Sequence, residues 1–149
     1  MLIRTHLLIT LFFVLLFLPF MEYQTSFVIV ALIATFIPDI DTKFSSLGRK
    51  KIFRILQFFV QHRGFLHSFS FLFLITIFFI LFFPILAFGF FLGYGLHLLA
   101  DSFTINGIKP FYPLKKRVCG KIKTGGRVEV SLFVFFLILD LFLIFFRIF

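Results

Sequence analysis

The sequence predicts an all-α integral membrane protein, a single domain over residues 1–149 with about five transmembrane helices and a basic amphipathic helix at the membrane interface. Three observations carry that reading. Hydrophobic residues make up 61% of the chain, with 30 Phe and a mean hydropathy of +1.14, whereas a soluble domain is only about half apolar. The apolar residues lie in long blocks, so lipid is the solvent for most of the chain. The basic residues gather in two stretches between blocks.

Leu2 to Phe20 is the first block, interrupted by Arg4, Thr5 and His6. No small-x-small cleavage site follows it and further spans do, so it reads as a retained helix, not a signal peptide. Met21 to Gln24 forms a short turn. The second span, residues 24–37, is short against the roughly 20 residues a bilayer needs, which predicts either extension back to Tyr23 or local thinning. Residues 65–83 and 85–103 make the third and fourth spans, hinged at Pro84, and residues 130–149 the fifth. Between the second and third, Arg49 to Gln61 sets Ile52, Phe53, Leu56, Phe59 and Val60 at helical spacing. Lys50, Lys51, Arg54 and Gln57 lie largely opposite. That pattern suits a helix in the interface over 49–61, and equally a connecting helix with a solvated basic face.

On five spans, fourteen of the fifteen Lys and Arg fall on one side, and Arg147 alone does not. The positive-inside rule then predicts a cytoplasmic N-terminus and an exterior C-terminus in a multi-pass plasma (inner) membrane protein. The net charge of +9 accordingly points to membrane lipids as partners and away from nucleic acid. KKRVCGKIKTGGR reads as a solvated loop drawn to anionic lipid, and the single Cys119 has no intrachain disulfide partner.

Ionisable side chains near spans are costly in lipid and hence functional candidates. On this arrangement His6 opens the first span, Asp39 and Asp41 follow the second, and His62 and His67 open the third. His97 and Asp101 end the fourth, and Glu129 begins the fifth. All reach the cytoplasmic face from separate segments. His97 and Asp101 in HLLAD stand at i and i+4 on one helix face. Asp39 and Asp41 in PDID, after a helix ended at Pro38, would point the same way if extended. Imidazole and carboxylate together bind zinc and related divalent ions, and the surplus over three ligands leaves room for a second ion or a general base. Taken singly, each has a plainer role: His6 as an interfacial residue, the aspartates as partners of Lys43 and Arg49, Ser68 as a cap. Arg63 either snorkels to the headgroups or grips an anion in bidentate fashion. Gly89 and Gly93 predict close packing of the fourth span. DSFTINGIKPFYP would return over the polar cluster as a roof. Asp140, about three turns deeper than Glu129, has no place in the cluster.

In order and spacing these motifs resemble the membrane-bound metal-dependent hydrolase family that includes the LexA-regulated inner-membrane proteins. The likeness runs through Thr5-His6, LIATFIPDID, a basic segment near LGR, HRGFLHS, GLHLLADSFT, Gly107 to Pro113 and a late Glu129. It departs from the pattern at Lys109, where an apolar residue is usual. The resemblance implies metal or active-site roles for His6, Asp39, Asp41, His62, His67, His97 and Asp101. The leading expectation is a hydrolase using a divalent ion, zinc first and manganese or iron as alternatives, at the cytoplasmic face. Asp39, Asp41, Arg63 and Glu129 are its catalytic candidates, and an anionic phosphoester or lipid headgroup its substrate. The rival expectations are a membrane phosphatase with a His nucleophile, a small ion or metal transporter, and a purely structural membrane protein.

Overall fold

The apolar blocks fold as five α-helices in the computed structural model, which describes residues 1–41, 65–114 and 116–148, with Ile40, Asp41 and Ile148 described in backbone only. They are α1 (Ile3–Phe17), α2 (Gln24–Phe36), α3 (Phe69–Phe82), α4 (Pro84–Ser102) and α5 (Arg127–Ile148). No strand occurs among the described residues. Ile3–Phe20, Pro84–Ser102 and Arg127–Arg147 are long and apolar enough to cross a membrane, while α2 and α3 are shorter apolar helices. The helix expected over 49–61 lies outside the described residues.

The second apolar helix is prolonged forwards, not backwards. α2 starts at Gln24, and past Phe36 the chain tightens into a 3-10 turn over Ile37–Asp41. Thirteen α-helical residues and five 3-10 residues rise together by ~30 Å. The expectation of an extended PDID segment is corrected with it. At three residues per turn, positions two apart do not share a face, so 39 and 41 diverge.

α3 begins four residues later than the apolar run suggests. Ser68 is its N-cap: Ser68 Oγ accepts the Phe71 N–H at 3.2 Å and donates to the Phe65 carbonyl at 2.6 Å. Phe65 to Ser68 is therefore a turn, which takes His67 off the helix and lets its side chain point into the bundle end. Between α3 and α4, Phe83 leaves helical geometry (φ −144°, ψ 63°), and Pro84 follows at a first helical position, where its missing N–H costs nothing.

α4 is the central helix, with α1, α2 and α3 packed on it, while α5 leans on α1. Tyr94, Leu98, Phe90 and Leu72 fill the core between α3 and α4. The approach of α2 to α4 requires glycine. A Cβ built on Gly93 would stand 2.0 Å from the Ala31 carbonyl oxygen, and one on Gly89 3.0 Å from that of Phe27. Large apolar side chains such as Leu74, Ile77, Ile138 and Leu141 face outward, the arrangement that lipid stabilises.

After α4 the chain folds back on itself. Ile108 and Val118 exchange backbone hydrogen bonds at 2.9 Å in each direction, and Thr104 pairs in a second bridge with Ile122. Gly107 turns this segment at φ +55°, where a Cβ would also strike the Val118 carbonyl oxygen at 2.1 Å. The Phe69 N–H donates to the Pro110 carbonyl at 2.8 Å, and Ile108 enters the core, so this segment lies across the start of α3. The basic stretch after it is exposed in its side chains but pinned through its backbone, and so is less free than a solvated loop.

Candidate metal centre

Four segments end at the same place. The first turns of α1 bring His6, the 3-10 turn after α2 brings Asp39, the turn before α3 brings His67, and the last turns of α4 bring His97 and Asp101. His6, His67 and His97 are almost wholly buried, Asp101 has 9% of its side chain exposed and Asp39 20%, so the cluster opens on the Asp39 side.

Distances define an alternating ring. His67 Nε2 lies 3.9 Å from Asp39 Oδ1 and 3.9 Å from Asp101 Oδ2, and His97 Nε2 stands at 3.9 Å from the same two oxygens. The other oxygen of Asp101 faces away from the ring, 3.3 Å from His6 Nε2 and in contact with the Met1 amine. The His6 and His97 rings stack at 3.9 Å between centroids and 6° between planes. His6, His97 and Asp101 form one group of close ligand atoms, and Asp39, His67 and His97 a second.

Chemistry assigns the protons on His97. Its Nδ1 lies 2.8 Å from the Thr35 carbonyl oxygen, and a carbonyl only accepts, so Nδ1 carries the hydrogen. In the neutral ring Nε2 then holds a bare lone pair, buried, with no hydrogen-bond partner among the described residues and two carboxylate oxygens 3.9 Å away. A lone pair facing two carboxylates is repulsive; a proton on Nε2 would turn the repulsion into ion pairs but not into hydrogen bonds, because 3.9 Å exceeds hydrogen-bond reach. A divalent cation among them would instead bond to the nitrogen and the oxygens together. Metal–ligand bonds of about 2.0–2.1 Å in a tetrahedron give ligand separations of about 3.3 Å, so the ring fits such an ion after closing by about half an ångström. A second partner that fixes the far side of a ligating imidazole, here Thr35, is the usual companion of a metal site.

The remaining candidates fall elsewhere. His62 and Arg63 lie outside the described residues, and Asp41 is described in its backbone only. Glu129 is buried but turned to α1: Oε1 accepts the Leu2 N–H at 2.5 Å and the Thr5 hydroxyl at 3.0 Å, and Oε2 accepts the Gly125 N–H at 2.6 Å. α1 has no cap or first-turn acid of its own, so Glu129 supplies both the cap and the negative charge its N-terminus favours. Asp140 is buried on α5, away from the centre, and neither of its oxygens has a hydrogen-bond partner among the described residues.

Supporting groups were missed from sequence. The Thr35 hydroxyl bonds Thr10 at 2.9 Å and the Ala31 carbonyl at 2.9 Å, locking α1 to α2 one turn behind His6. The Tyr94 hydroxyl donates to the Leu66 carbonyl, which fixes the turn that carries His67. Hydroxyls at Thr10, Thr35 and Tyr94 inside apolar runs were the available signal. The Thr35 carbonyl has none, since every residue carries one.

The profile of the YdjM inner membrane protein family matches residues 1–147, and the chain belongs to that family. No curated protein matches the chain significantly, and no solved structure does.

Proposed function

We propose that this YdjM-family membrane protein is a divalent-metal-dependent hydrolase that works at the cytoplasmic membrane face on an anionic phosphoester. The observation that carries the reading is the buried His97 Nε2, its lone pair aimed between Asp39 and Asp101. His67, His97 and Asp101 would hold the ion, zinc first, since three protein ligands leave one position open. When bound, the ion supplies a water acidic enough to attack at neutral pH and draws charge from the scissile phosphoester. Asp39, the exposed member beside that position, takes the proton of the attacking water. Thr35 keeps His97 in one tautomer, and His6 holds the rear oxygen of Asp101. The core around Tyr94 and Leu98 keeps bulk water from the inner side of the centre. Arg63, on sequence grounds, grips the phosphate.

Placement weighs against a transporter, whose binding site belongs near the bilayer midplane. These residues sit at helix ends instead. The test is phosphoester hydrolysis in detergent with and without chelator, beside Asp39→Asn. Activity abolished by chelator, restored by zinc, and reduced about 10²–10⁴-fold in Asp39→Asn with metal content retained is the expected outcome. Activity that survives complete metal removal favours a nucleophilic His and overturns the proposal.

A further inference from the structure

α2 and α3 both pack on α4, and among the described residues their backbones stay apart from each other. Between them runs a groove of about 330 Å³, walled by Ile33 and Ile37 on one side and by Ile75 and Phe79 on the other. Leu86 and Phe90 of α4 make its floor. No ionisable side chain lines it, and Ile33 stands 58% exposed on its rim. From Phe71 to Phe79 the α3 wall is nine residues long, ~12 Å along the helix axis.

One end of the groove runs toward the metal centre. Asp39 comes two residues after Ile37 on the α2 wall, and His67 four residues before Phe71 on the α3 wall. Asp39 is also the most exposed member of the cluster. An apolar slot parallel to the helices, open sideways to lipid and ending at a group of imidazoles and carboxylates, has the shape of an amphiphile.

We infer that this groove seats one acyl chain of a membrane phospholipid and presents its phosphate to the His67–His97–Asp101 centre. The inference rests on the hydrolase reading and narrows its substrate to a lipid that reaches the site from within the bilayer. An acyl chain is the occupant favoured here because lipid surrounds the helices at this depth and the side chains that line the slot are apolar throughout. The exposed Lys116, Arg117, Lys121 and Lys123 beyond α4 favour an anionic headgroup.

The test uses the full chain in phosphatidylcholine vesicles doped with a phosphatidylglycerol that carries a diazirine midway along one acyl chain. After illumination, labelled residues are mapped by peptide mass spectrometry, and metal content is measured on the same sample. Label at Ile33, Ile37 and Ile75 should exceed that at the lipid-facing Ile138 and Leu141 of α5 several-fold, and excess unlabelled phosphatidylglycerol should compete it away. Ile33→Trp, at an exposed rim position, should cut groove labelling several-fold and leave metal content alone. Even labelling of groove and α5, or a groove shielded from label by a second copy or by another part of the chain, overturns the inference. The two readings separate cleanly. Metal retained with even labelling sinks the groove alone, while a metal-free wild type with concentrated labelling sinks the hydrolase and leaves a lipid site.

Discussion

Replacing Gly93 by alanine tests how the fold places the chemistry. The added methyl group would begin 2.0 Å from the Ala31 carbonyl oxygen, so α2 and α4 must part by about 1 Å to reach even the tightest contact real side chains show. Both helices carry part of the site: Thr35 and Asp39 follow Ala31, and His97 and Asp101 follow Gly93. The same 1 Å would stretch the 2.8 Å bond between the Thr35 carbonyl and His97 Nδ1 to about 3.8 Å, which breaks it. Losing the partner that orients a ligating imidazole costs roughly 10–100-fold in metal affinity. Overpacking itself costs about 1–3 kcal/mol of stability. Gly95→Ala is the built-in control, because its methyl group would sit at an ordinary 3.4 Å from Leu72 Cδ2. Zinc competition against a chromophoric chelator in detergent, with thermal denaturation alongside, reads both effects. Gly93→Ala should lose affinity and stability while Gly95→Ala keeps both. Equal behaviour of the two variants would refute the argument that this helix contact sets the centre.

Other changes separate the centre from its scaffold. Glu129→Ala leaves the Leu2 and Gly125 N–H groups and the Thr5 hydroxyl without their shared acceptor, and should lower stability by about 1.5–3 kcal/mol in thermal denaturation with metal still bound. Metal lost at unchanged stability would instead put Glu129 in the chemistry. Asp140→Leu removes a buried carboxyl without a hydrogen-bond partner, and should raise stability by about 1–3 kcal/mol and leave metal content unaltered. A destabilised Asp140→Leu protein would mean that the carboxyl has a partner worth keeping.

The helices were legible because lipid leaves a one-dimensional record: each crossing needs an apolar run, and each run is visible. Their ends were harder. Ser68, four residues past the glycine that precedes the apolar run, sets the start of the helix by capping it, and a hydroxyl in such a run reads equally well as packing. PDID looked extended because Pro38 signals a helix end, yet the chain only tightened to a 3-10 turn. The convergence of His6, Asp39, His67, His97 and Asp101 was readable, since five successive helices that alternate in direction bring particular ends to one face. Which oxygen faces which nitrogen was not. That depends on the Gly93 contact and on the Thr35 carbonyl, and neither leaves a pattern in side-chain types. Glu129 shared the face but not the pocket, because its carboxylate finds three donors at the start of α1 first.

The central claim is that the His67–His97–Asp101 group, with Asp39 beside it, holds a cation. Elemental analysis of the detergent-purified protein beside its His97→Ala form measures this directly. The wild type should carry about one transition-metal ion per chain, zinc before manganese or iron, and His97→Ala should carry far less while still folded. A wild type free of such metal even after incubation with zinc, or a His97→Ala protein with undiminished content, would contradict it.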